Sequence, residues 1–242
     1  VVNMELSKQA IEAKNSKCRV VGGFISPTHD SYCNYKLEDL AIPDVHRNKM
    51  ISLALHDSDW IELDEWHTQQ EFMQSINAEV GHIEDMVKTL YAEDDAWQKF
   101  VIFYVCGSDL GKRGFRDGFH PYGVCIIQRE SDPMLGYNKY AKPPIYLIDI
   151  PKKYDEIKNV SSTQIRSHIQ EGKLINHLTF ETVQEYMVQH DILGAAKLKE
   201  ALKLSKPDST ESDEQKDNED DGGKETHSSN EENADSNDAN PQ

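Results

Sequence analysis

The stretch of this sequence best equipped to handle phosphate is Asn159-Val160-Ser161-Ser162-Thr163-Gln164-Ile165-Arg166. It follows an apolar run, Ile145 to Ile150, and opens an amphipathic segment that ends at Gly172. Serine and threonine are helix-capping types. Their hydroxyls, with the free N–H groups of a first helical turn, make an anion site. Arg166 lies about one turn further on, where a guanidinium can reach the same anion bidentately. A plain N-cap with a solvent-facing arginine is the competing reading of these residues.

Four other polar groups sit directly after apolar runs. They are Gly22-Gly23 with Ser26 to Tyr32, Trp66 to Ser75, Gly107 to Asp109, and Arg129. Together they offer anion donors, a carboxylate and aromatic faces, an inventory that suits a nucleotide. Each also has a plainer reading: a glycine turn, packing aromatics, a helix-capping Asp109, a surface Arg129. Their shared position after strands is what favours a site, because ligands of open α/β sheets bind outside the carboxyl ends of the strands.

The elements that must position these groups alternate along the chain. Residues 2–16 read as an amphipathic helix, with Met4, Leu6, Ala10, Ile11 and Ala13 apolar. Cys18 to Ile25 reads as a strand. The sequence predicts a polar loop over Ser26 to Ile42, a helix from Pro43 to His56 and a strand from Trp60 to Asp64. Glu71 to Tyr91 has helical spacing. Phe100 to Cys106 is a continuous apolar run, as expected of a strand buried on both faces. GKRGFRDGFHP then reads as a glycine-rich mobile loop. Gly123 to Gln128 and Pro144 to Ile150 complete the strands, and Thr163 to Glu171 and Thr179 to His190 the helices. The fold class expected is therefore α/β, a Rossmann-like parallel sheet with helices on both faces. A helix followed by a strand and a glycine turn is the middle of a βαβ unit. Its leading strand is expected ahead of residue 1.

The 242 residues suit one domain, 1–204, and an acidic tail, 205–242. The tail holds 13 acids and 3 bases of a chain whose formal charge is −17. With almost no apolar side chains, it is expected to be disordered. The domain is acidic too, so it lacks the electrostatic footprint of a general nucleic-acid binder. Cys18, Cys33, Cys106 and Cys125 have no C-x-x-C spacing, and read as reduced, buried thiols of a nuclear or cytoplasmic protein. No apolar run approaches a membrane span. Oligomeric state stays open.

With these pieces placed, the chain resembles the eukaryotic-type nicotinamide (or nicotinate) mononucleotide adenylyltransferases over roughly Met4 to Leu193. The resemblance is carried by VVGGFISPTHDSY, IPDVHR, WIELDEW with QQEF, VCGSDL, YGVCIIQR, and NVSSTQIR with QEYMVQHDIL. Their order and spacing match as a set. The family joins the mononucleotide to the AMP part of ATP and releases pyrophosphate in NAD biosynthesis, with Mg²⁺ carried on the ATP. NVSSTQIR is similar to the I-S-S-T-x-x-R signature for the ATP phosphates. This implies Thr163 and Arg166 as phosphate holders, Ser161 and Ser162 as helpers, and Gln164 and Ile165 as members of the same segment. It implies Asn159 on the adenosine side, Gly107 and Asp109 at a ribose, and Arg129 near the dinucleotide. Phe72 falls where the family has a tryptophan that stacks on nicotinamide, Ser75 where it has a threonine. Tyr32 and Lys36 fall where the family has a lysine-rich loop after a D-x-Y; that loop is altered here, with Lys36 its only nearby lysine.

The resemblance also implies departures. The family opens with a strand, a G-S-F-x-P loop and a T-x-x-H motif, whose counterpart is expected ahead of residue 1. No catalytic residue of that motif is retained within 1–242. The loop after CGSDL is shorter and lacks a nicotinamide-contacting tryptophan, for which Phe115 or Phe119 is the expected stand-in. GFISPTHDSY can also be laid over a G-x-F-x-P-x-H-x-x-H loop, but Tyr32 would then replace the phosphate-contacting histidine and cannot carry its charge. That register is rejected, and His29 reads as a loop residue. The alternative to an enzyme is a truncated, non-catalytic homologue that binds nucleotide or acts as a chaperone-like module.

Overall fold

The computed structural model describes residues 1–92, 99–115, 120–134, 136–156, 158 and 160–205. The acidic tail from Lys206 onward, Asn159 and Phe119 lie outside the described residues. Val1–Ser205 forms one compact unit.

The apolar runs become short parallel strands. β3 (Phe103–Gly107), β4 (Gly123–Gln128) and β5 (Ile145–Asp149) form one sheet, with Val105 opposite Cys125 and Ile126 opposite Leu147. β4 is central, and its residues 123–127 are all buried. Its side chains alternate between two cores, as strand geometry requires. Val124 and Ile126 face Val80 of α4 (Ile76–Leu90), Leu110 of α5 (Ser108–Gly114), Phe115 and Tyr122. Cys125 and Ile127 face Leu6 and Ile11 of α1 (Val2–Lys14). Helices thus cover both faces, as expected. At Gly111 a Cβ would come 2.9 Å from Ile126 Cγ2, so α5 lies against β4 only because it has none there. Burial pushes the Cys106 and Cys125 thiols up to about 12, so both stay neutral apolar fillers.

A second parallel pair joins β1 (Gly23–Ile25) to β2 (Ile61–Leu63). A Cβ on Gly23 would sit 2.7 Å from Met4 Cε and 2.8 Å from the Trp60 ring. α1 therefore touches both sheets, through Met4 on one side and Leu6 and Ile11 on the other. A third core joins Ile165 and Ile169 of α6 (Ser162–Gln170), Val183 and Met187 of α7 (Glu181–Gln189), Ile192, Ala195 and Leu198. Met50 and Leu53 of α3 (Asp44–Ala54) pack on it, and α8 (Lys199–Ser205) follows.

Several expectations need correction. The single sheet is two: among the described strands, none pairs with the outer edge of β1 or β3. As an edge strand β3 is less covered than expected: Tyr104 and Cys106 pack on one core and Phe103 and Val105 on the other, but only Cys106 is fully buried. The strand expected over 18–25 shrinks to the three residues opposite β2. The polar loop 26–42 contains α2 (Asp30–Leu37), whose side chains form no buried face and so left no periodic signal. The helix expected from Glu71 starts at Ile76, where Ser75 accepts the Ala78 N–H. The glycine-rich stretch after CGSDL begins as helix through Gly114. No helix among the described residues is long and apolar enough to cross a membrane.

Candidate functional site

The tip of α6 keeps the chemistry read from its sequence. Ser161 is extended, and its hydroxyl accepts the Gln164 N–H at 3.2 Å, so it is the N-cap. The first internal helical bond runs from Ile165 N–H to Ser161 O. The Ser162 and Thr163 amides therefore precede the ladder and point outward with the helix dipole. Their side chains are exposed. Arg166 donates from Nη2 to Thr163 Oγ1 at 3.1 Å, which holds the guanidinium over the tip. Ile165 differs: it packs into the helical core, so its part is to anchor α6. The capping reading and the anion reading are both compatible, since the cap uses only Ser161.

Arg129 follows β4 and lines a cavity of about 470 Å³ with Asp149, Lys152, Asp155 and Lys158. This cavity lies at the carboxyl ends of β4 and β5, where Gln128 donates to Asp149 at 2.8 Å. Gly107 ends β3 on the same rim, paired with Ile127. Asp109, exposed in the first turn of α5, faces Arg113 at 3.5 Å. A Cβ on Gly107 would come 2.9 Å from Asp109 Oδ1, so glycine lets that carboxylate fold back over the strand end.

The loop before α4 carries Phe72, which is 68% exposed, and Ser75, which caps the helix. Tyr32 and Lys36 lie one turn apart on α2, with Lys36 Nζ 5.7 Å from the Tyr32 ring centre. Phe115 is corrected: it is 2% exposed and packed among Tyr104, His120 and Tyr122, so it is a core residue and no stand-in for a stacking tryptophan.

Sequence reasoning missed a buried cluster of ionisable groups behind that loop. His67, 2% exposed, has Nδ1 against Glu79 Oε1 of α4. Asp64, just past β2, accepts from the Ser26 hydroxyl and lies 3.6 Å from His82 Nε2. The His82 ring stacks on Trp66 at 4.7 Å. The signal was present: Glu79 interrupts the apolar stripe Ile76, Val80, Ile83, Val87. His29 lies in the loop ahead of α2, as read, and caps that helix from there.

Burial, and then the Asp64 charge, push the Glu79 carboxyl up from 4.5 to about 7. A carboxyl raised on folding contributes most below its unfolded value, and that contribution fades as pH rises through 7. Glu79→Gln keeps the shape and removes the titration. The stability of E79Q relative to the parent should therefore increase from pH 4.5 to 8. Urea unfolding across that range checks it; a constant difference would show that Glu79 ionises freely.

No protein-family model matches the chain. A nicotinamide-nucleotide adenylyltransferase of Drosophila melanogaster is 35% identical over 224 residues, covering 76% of this chain and 54% of that protein. A nicotinamide/nicotinic acid mononucleotide adenylyltransferase of Arabidopsis thaliana is 24% identical over 78% of this chain and 81% of its own length. Both relatives are nicotinamide-nucleotide adenylyltransferases by name, and it is to these that the chain is similar. The zebrafish (Danio rerio) nicotinamide/nicotinic acid mononucleotide adenylyltransferase 2 is similar over 75 residues, at 37% identity, or 31% of this chain and 23% of that protein. The match thus spans about a quarter of the zebrafish protein, half of the Drosophila one and four fifths of the Arabidopsis one. The Plasmodium falciparum nicotinic acid mononucleotide adenylyltransferase complexed with NaAD superposes with a TM-score of 0.52 at 15% identity, covering 78% of this chain and 90% of that one. That likeness establishes the parallel-sheet fold.

Proposed function

We propose that this chain takes part in adenylyl transfer from ATP to nicotinamide or nicotinate mononucleotide, giving NAD or its acid form and pyrophosphate. The observation that carries the reading is the α6 tip, where Arg166 leans on Thr163 beside two free first-turn amides. The mononucleotide phosphate attacks the α-phosphorus in line. One P–O bond forms as the bond to pyrophosphate breaks, and no covalent enzyme intermediate is needed. The protein's share is positioning and charge stabilisation. Arg166, Thr163, Ser162 and the capping Ser161 take the ATP phosphates. Gly107, Asp109, Arg129 and Asn159 take the nucleoside portions. Phe72, Ser75, Tyr32 and Lys36 take the mononucleotide. The α6 donors are hydroxyls and a guanidinium, which suit phosphate oxygens, so Mg²⁺ enters on ATP as part of the substrate.

The test is to titrate purified 1–242 with ATP and with nicotinamide mononucleotide by calorimetry, and to assay the mixture for NAD. ATP binding with dinucleotide formation supports the reading. Binding without turnover favours the nucleotide-binding homologue, and no ATP binding overturns both.

A further inference from the structure

The loop 70–74, which carries Phe72, is pinned at both ends by histidines. His29 Nδ1 accepts the Ser31 N–H at 3.1 Å, so its proton is on Nε2, which donates to the Gln70 carbonyl at 3.0 Å. His67 Nε2 accepts the Gln74 N–H at 3.0 Å, so its proton is on Nδ1, against Glu79. The two rings lie 6.3 Å apart and 25° from parallel. Gln74 directly precedes Ser75, the α4 cap, so the His67 bond fixes where the loop enters the helix.

We infer that neutral His67 is a positioning residue for the mononucleotide subsite: it clips the Phe72 loop through the Gln74 amide, and protonation releases it. A proton added to Nε2 would face an N–H donor, so the imidazolium and the bond to Gln74 are mutually exclusive. The groups facing His67 are Glu79 from α4, Asp64 after β2, His29 at the start of α2 and Arg47 of α3. Burial first, then His29, lower the His67 pKa below its ordinary 6.5, while Asp64 works the other way. Arg47, itself paired with Asp30, lowers it further as the last of these causes. Glu79 is itself mostly protonated once the pH is well below 7, so it leaves an imidazolium poorly compensated. The release therefore falls on the acid side.

The subsite assignment rests on the proposed function; the clip does not. Two readouts keep them apart. In the unliganded chain, imidazole nitrogen NMR at pH 7.5 should find His67 as the Nδ1–H tautomer, with the Gln74 amide protected from exchange. As the pH is lowered and His67 titrates, Gln74 protection, corrected for intrinsic exchange, should collapse while β4 amides keep theirs. Over the same range calorimetry should find nicotinamide mononucleotide binding weakened about three- to tenfold, the worth of one hydrogen bond. His67→Gln, whose amide oxygen accepts without titrating, should make both readouts flat with pH. Glu79→Gln should keep the acid-side loss, assigning it to His67. An Nε2–H tautomer at pH 7.5, or Gln74 protection that survives His67 protonation, overturns the inference, as does mononucleotide affinity unchanged while His67 titrates. A clip that behaves as described with no mononucleotide binding at any pH supports the clip and overturns the proposed function.

Discussion

Replacing Arg166 with alanine should weaken ATP binding by about 10- to 100-fold, the worth of a charge-assisted bidentate contact. The fold should survive the change. α6 is held by Ile165 and Ile169 in the helical core, and the hydrogen bond Arg166 makes is to the exposed Thr163 hydroxyl. Arg166→Lys keeps the charge but loses the planar fork, so it should recover only part of the affinity. Thr163→Val removes both a phosphate donor and the rest on which the guanidinium leans, and should fall between the two. ATP affinity for each variant, with a melting curve to confirm folding, decides the matter. Full affinity in a folded R166A protein would take Arg166 out of the phosphate site. It would also leave α6 as an ordinary capped helix.

The α6 tip was legible because its chemistry is local. A capping serine, two amides and an arginine three residues beyond a threonine need only helical geometry to meet. The same holds for β4 and β5, whose apolar runs have flanking turns, with β4 paired on both sides and, among the described strands, β5 on one. What the sequence misplaced depended on neighbours. β3 carries the apolar run of a doubly buried strand, yet its outer edge has no described partner, and its residues are only half covered. α2 has no buried face, so nothing periodic announced it. The histidine clip was invisible because His29 and His67 meet only through the packing of α2 against the loop after β2. Glu79 alone hinted at it, as an acid in an apolar stripe. Composition placed two of the four thiols correctly: Cys106 and Cys125 are buried, while Cys18 and Cys33 are only partly so.

Phe72 and Phe115 were each expected to stand where the resemblance puts a tryptophan, and paired substitutions should separate them. Phe115→Ala should cost about 3–5 kcal/mol of stability, the range for emptying an aromatic from a core. Its ring is sealed among Tyr104, His120 and Tyr122. What remains folded should bind mononucleotide normally. Phe72→Ala should do the reverse. A side chain 68% exposed supports little, so stability should move by no more than about 0.5 kcal/mol. Mononucleotide binding should lose about 1–3 kcal/mol, the scale of one base stacking on one ring. Denaturant midpoints and calorimetry on the two variants read these quantities independently. A stable F115A protein with lost affinity would mean that the loop after α5 reopens to present that ring. An F72A protein with undiminished affinity would remove the stacking platform, and with it the reason for a clip on its loop to matter to the ligand.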